Sequence, residues 1–230
     1  NTTKIKGDDG EALITTVAAG PNTIPVAVEL EQTQFTALLR YVWVSESEWL
    51  GAKFGATVAL PVVQKDRSLL LTPTFPSALP AAARNQVNAQ LRSQEALNNG
   101  STGGQGDLEI APTFSWEGER SKWVLAPTFI VPTGRYDYAK ALNAGQGNYY
   151  TFRPAVSWGF VASESLQFGV RGLWGINSTN KDTDVKTGQF LSFEAVAYRS
   201  FTDGFSAGLN AFAIHQITDD EGPNVAAHGN

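Results

Sequence analysis

The sequence predicts an all-β protein, a transmembrane antiparallel up-and-down β-barrel of which about eight strands are recognisable in the chain. Three observations predict it. Segments of about ten residues alternate apolar and polar side chains, longer than the five or six residues usual in a soluble strand. Short and long connections alternate along the chain, as the periplasmic turns and external loops of outer-membrane barrels do. Five of the six tryptophans (Trp43, Trp49, Trp116, Trp123 and Trp158) abut a short connection, where an amphipathic ring suits the headgroup zone.

The clearest element is the hairpin over 107–137. Leu108, Ile110, Phe114 and Trp116 alternate with Glu109, Ala111, Thr113 and Ser115. After the EGERS turn, Trp123, Leu125, Phe129 and Val131 alternate with Lys122, Val124, Ala126 and Thr128. Folding between Glu119 and Arg120 sets Trp116 against Trp123, Phe114 against Leu125, Pro112 against Pro127 and Ile110 against Phe129. Each outward pair is apolar, which suits a strand face turned to lipid. A soluble β-sandwich also alternates, but its aromatic residues face a core and do not collect at one end.

Taken in order, 1–32 has no sustained period and is expected to be a long loop. A strand over 33–44 sends Phe35, Ala37, Leu39, Tyr41 and Trp43 outward and Arg40 inward; SESE is its turn. The next, over 49–63, sends Phe54, Ala56, Val58 and Leu60 outward and Lys53 inward. The segment 65–105 is expected to be a long external loop with a helix over 81–98. After the central hairpin, a strand over 149–160 points Phe152, Val156 and Trp158 out and Arg153 in. One over 166–176 points Phe168, Val170 and Trp174 out and Arg171 in. One over 188–200 points Leu191, Phe193, Ala195 and Ala197 out and Glu194 in. The strand over 205–217 turns Ala207, Leu209, Ala211 and Ala213 outward, with Phe212 and Ile214 blurring the phase.

Composition excludes several classes of function. The 230 residues carry a net charge of −5 from 17 basic and 22 acidic residues, and no basic cluster points to nucleic acid. There is no cysteine, hence no disulfide framework or thiolate site. No run of 18 apolar residues could form a membrane helix. A mean hydropathy of −0.17 is compatible with a barrel whose lumen and loops are polar. The chain opens on NTTKIKGDDGE, without a signal peptide, so it reads as a mature or trimmed form. With short turns on the periplasmic side, both 1–32 and 218–230 fall outside, whereas bacterial barrels begin and end in the periplasm. A single barrel domain over 1–230, cut at both ends, is therefore expected.

PTFIVPTGRYD followed by NAGQGNYYTFRPAVSWGF resembles the meta-pathway phenol-degradation outer-membrane proteins, a family that includes a sphingosine-uptake protein. GDLEIAPTFSW and ATVALPVV resemble its other recurring pieces, and the likeness covers about 33–216. Pro132, Gly134, Tyr136 and Asp137 match the family motif. The resemblance implies a monomeric barrel of about twelve strands in the outer membrane of a Gram-negative cell. It also implies a channel for small hydrophobic or aromatic molecules, with membrane lipid as the surrounding partner.

The residues themselves offer little chemistry and more electrostatics. His215 and His228 are the only histidines, without a nucleophile motif; catalysis is not expected. Neither a metal site nor a cofactor site is expected, and GGQG reads as a loop. Arg40, Lys53, Arg153 and Arg171 face Glu109 and Glu194 on the lumen side. They form a salt-bridge network, a charged constriction, or both. Leu38, Val42, Val124, Ile130, Leu173 and Val196 share that face, and a mixed lumen favours an amphipathic passenger over the sugars or ions of a general diffusion porin. A mainly structural barrel is the other alternative. Pro112, Pro127 and Pro154 each lie four residues from a tryptophan, roughly 10 Å above it on a tilted strand. They either kink the wall or weaken the seam between the 121–131 and 149–160 strands into a lateral gate.

Overall fold

The computed structural model describes residues 2–4, 13–202, 204–223 and 225. The chain divides into two compact units. The second comprises 38–61, 107–134 and 146–230 and carries the alternating strands. They are the later part of β3 (Asn22–Trp49), the early part of β4 (Ala52–Pro73), β6 (Leu108–Glu117), β7 (Ser121–Val131), β8 (Thr151–Ser163), β9 (Leu166–Asn177), β10 (Phe190–Thr202) and β11 (Phe205–Gln216). They form one antiparallel meander in the order β3-β4-β6-β7-β8-β9-β10-β11. Among the described residues β11 pairs with β10 alone, so the sheet is open at that edge.

The registers follow from the period-two pattern. Trp116 sits opposite Trp123, Phe114 opposite Leu125 and Ile110 opposite Phe129, as the folded hairpin predicts. Trp123 and Phe129 then lie opposite Trp158 and Phe152. Two aromatic bands result on the outer face. In one, Trp123 and Trp158 are 6.0 Å apart and Trp158 stacks on Phe160. In the other, Phe129 and Phe152 are 4.9 Å apart. Six residues separate the bands along β7, about 15 Å of height on a strand tilted near 40°. Trp43 packs edge-on against Phe54, which meets Phe114.

Burial is inverted relative to a soluble sheet. Outward Trp123, Phe129, Val156 and Phe193 are all about half exposed, whereas inward Thr128, Thr151 and Ser192 are buried. A β-sandwich buries its apolar face; a membrane wall offers it to lipid.

The first unit comprises 1–37, 62–106 and 135–145. It corrects the loop expected over 1–32. β2 (Leu13–Ala19) and the start of β3 form a hairpin pairing Leu13 with Val28 and Ala19 with Asn22. Its turn passes through Gly20 at φ +62°, and β1 (Thr2–Lys4) lies along Glu31–Thr33 of β3. The segment 65–105 holds more than a loop and a helix: β4 continues to Pro73, and β5 (Gly100–Gln105) pairs with Val62–Arg67. Between them stands α1 (Ala81–Asn98), whose Val87 and Leu91 pack on Ile24, Val26 and Leu79. Asn99 closes the helix against the backbone of Leu69, accepting from its N–H and donating to its carbonyl. The thin apolar stripe of α1 thus covers a small core of its own.

Two smaller corrections concern β3 and β11. SESE is not a turn: β3 runs through Trp49 and the chain reverses at Leu50 and Gly51, both at positive φ (52° and 70°). Two positive-φ residues make the tight turn that matches strand twist, and exposed strand positions tolerate serine and glutamate. In β11, Phe212 and Ile214 face inward, opposite Glu194 and Ser192.

Candidate functional site: the inner face of the sheet

Cross-strand pairing aligns the inward side chains of the second unit in rows. Towards the short turns runs Glu117, Lys122, Gly159, Gly169, Val196 and Asn210. The next is Lys53, Ser115, Val124, Ser157, Arg171, Glu194 and Phe212. At the other end run Ala59, Glu109, Ile130, Thr151 and Asn177, where Thr151 and Asn177 join through their side chains at 2.7 Å.

The sequence-derived charges distribute along this face. Arg153 donates to Glu109 at 2.9 Å, with side chains 27% and 33% exposed. The pair passes over β7, where Thr128 and Ile130 are buried. Lys53 meets Glu117 at 3.4 Å, and Lys122 meets the same carboxylate at 2.5 Å. Arg171 stands opposite Glu194 in the β9–β10 register, but no ion pair joins them among the described residues. Arg40 lies one residue from Tyr41 and three from Trp43, on the alternate face of β3.

Lys122 and Glu117 were missed as lumen residues. They flank the EGERS turn at the same parity as Val124 and Ser115, so the folded hairpin already contained them. Asp107 was missed as well. Its buried carboxylate accepts from Gly134 N at 2.8 Å and Gln146 N at 2.7 Å, tying the start of β6 to two loop ends. No period announces such a residue, because it precedes the strand.

The family-motif residues serve the loops. Gly134 meets Asp107. In the first unit, Asp137 N donates to Asn143 Oδ1, Asn143 Nδ2 donates to the Asp137 carbonyl, and the Asp137 carboxylate accepts from Ala139 N. Tyr136 lies in the same loop, and Pro132 ends β7. His215 faces outward opposite Leu191, away from the inner row; His228 lies outside the described residues.

The prolines rearrange the expected seam. Pro127 sits opposite Pro154, and the β7–β8 register runs unbroken through them. The break lies instead in β6–β7, where Ala111 to Thr113 and Ala126 to Thr128 drop out of the ladder. A second break in β8–β9 omits Arg153 and Pro154 against Trp174 and Gly175. Antiparallel pairs alternate between hydrogen-bonded and non-hydrogen-bonded sites. Pro112 and Pro127 fall on a bonded site, where each would have donated to the other, so both bonds vanish. Pro127 and Pro154 fall on a non-bonded site and cost the ladder nothing. Pro154 turns its missing donor to β9.

Long alternating strands, two outer aromatic bands, lipid-ready apolar residues and a mixed charged inner face define an outer-membrane barrel wall. The family described as Putative MetA-pathway of phenol degradation matches residues 16–230, and the chain belongs to it. Among solved structures, the COG4313 outer membrane channel from Pseudomonas putida shares the fold, with a TM-score of 0.59 and 15% identity over 88% of this chain and 68% of that one. No curated protein sequence matches the chain. The inverted burial and the fold shared with that channel fit the outer membrane of a Gram-negative cell.

Proposed function

We propose that this chain forms the wall of an outer-membrane channel for small hydrophobic or aromatic compounds. It works as a monomer surrounded by membrane lipid, without catalysis, metal or cofactor. The observation that carries this reading is the mixed inner face. Arg153 and Glu109 neutralise each other, and Ile130, Leu173, Phe190, Val196, Phe212 and Ile214 lie on the same side of the sheet. A general diffusion pore calls for a polar lumen throughout, and these residues interrupt the polar rows with apolar surface on which an aromatic ring can rest.

Lateral release into the membrane belongs to the same reading, and the break at Pro112 and Pro127 supports it. A seam lacking both bonds of a pair separates at lower cost than a complete ladder. The β6–β7 seam is therefore the proposed path, in place of β7–β8.

The test is uptake of a labelled phenolic compound at low concentration by cells with and without the protein, beside liposome swelling with glucose. Aromatic uptake that rises with the protein, while glucose passes slowly, is the expected result. Rapid glucose swelling with no gain in aromatic uptake overturns the reading in favour of a general porin.

A further inference from the structure

The inner face holds one recess that the charge rows do not explain. Gly159 on β8 and Gly169 on β9 lie directly opposite each other; Gly159 presents bare backbone, while the Val196 side chain leans over Gly169, its Cγ1 3.0 Å from where a Cβ would stand. Above this floor opens a cleft of about 280 Å³. Val124 and Val196 line it, with Arg171, Glu194, Ser157 and Asn210. A cavity of about 150 Å³ lined by apolar groups accepts benzene, so a single ring with a polar substituent fits.

The electrostatics select the substituent. Lys122, at the cleft edge, is already held by Glu117. Arg171 has no hydrogen-bond or ion-pair partner among the described residues, although Glu194 stands across from it. It is an inward, exposed guanidinium with its donor fork unused. That fork matches a carboxylate in two parallel hydrogen bonds, better than it matches a neutral hydroxyl.

We propose that this cleft is a binding subsite for a one-ring aromatic carboxylate. The acid group docks on Arg171, and the ring lies on the open backbone of Gly159, between Val124 and the Val196 side chain that covers Gly169. Glu194 is the counterweight: its charge opposes an arriving anion, so the site releases what it binds, as conduction requires. The subsite deepens the channel reading and rests on it, because it names which aromatic compounds the wall recognises.

The experiment measures binding of benzoate, of benzyl alcohol as the neutral ring, and of acetate as the ringless acid, to the whole protein in detergent. Benzoate is expected to bind more tightly than acetate. Arg171→Gln is expected to weaken benzoate about tenfold, the scale of one charge-assisted hydrogen bond, with benzyl alcohol nearly unchanged. Glu194→Gln is expected to tighten benzoate several-fold, a gain that a misfolded wall does not produce. Gly159→Val is expected to weaken both ring compounds. A Cβ at Gly159 meets nothing closer than Phe168 O at 3.9 Å, so the side chain enters the cleft without distorting the strand. Benzoate affinity that ignores Arg171→Gln and Glu194→Gln, or moves the same way in both, overturns the subsite. Benzyl alcohol binding without benzoate binding removes the subsite and leaves the channel reading standing. Binding of neither ring compound removes the channel reading itself.

Discussion

Arg153 on β8 reaches across β7 to Glu109 on β6, 2.9 Å away, and so bridges the seam beside which Pro112 and Pro127 leave the ladder open. Backbone bonding is missing there, and a side-chain ion pair lies over the neighbouring row. Both side chains are about a third exposed, so the pair lies between a surface contact and a buried one. Glu109→Gln or Arg153→Gln is expected to destabilise the wall by roughly 1–2 kcal/mol, between the exposed and buried limits. Urea unfolding in lipid vesicles checks it. The double variant is expected to cost less than the sum of the single ones, since the second change relieves the stranded charge.

Restoring the missing donors tests the seam. Pro112→Val with Pro127→Val is expected to close the β6–β7 ladder, gaining about 0.5–1.5 kcal/mol for each bond formed. Amide exchange around 111–113 and 126–128 slows, and uptake of a lipid-like compound falls while ion conductance stays. Pro154→Val alone is expected to act on β8–β9 and to leave the β6–β7 amides unchanged. Unaltered uptake in the double variant, with its ladder closed, removes the lateral path.

Asp107 predicts a loop phenotype. Asparagine at this position keeps one acceptor oxygen for the two donors Gly134 N and Gln146 N. Asp107→Asn is expected to cost roughly 1–3 kcal/mol, the range for leaving a buried donor without its acceptor. Faster protease cleavage within 132–147, with the strands intact, is the measurement that checks it.

The two faces of β8 give the sharpest control on the membrane assignment. Val156 faces outward and is about half exposed, while its neighbour Ser157 faces the inner row. Val156→Arg is expected to cost about 2–4 kcal/mol in a bilayer, falling towards zero near the interface. Ser157→Arg is expected to cost much less, because its head can reach water in the lumen. Equal costs at the two sites contradict the assigned faces.

The sequence by itself determined the strand phases, the central hairpin register, the tryptophan band near the short turns and the extent of α1. The reason is local: a period of two fixes which side chains share a face, and a short turn fixes which residues oppose. It did not determine β2, the distal part of β4, or β5. GSTGGQ has no apolar face and becomes a strand only because Val62–Arg67 offers an edge to pair with. Nor could it determine the hydrogen-bonding parity of the prolines. Reading Pro112 opposite Pro127 was correct, but whether that pair is a bonded site depends on turn geometry that no side-chain pattern records. Tertiary structure alone turned Phe212 and Ile214 inward, left Arg171 unpaired across from Glu194 among the described residues, and opened the recess at Gly159 beside it. Each of these depends on which strand lies alongside, and only the folded sheet supplies that neighbour.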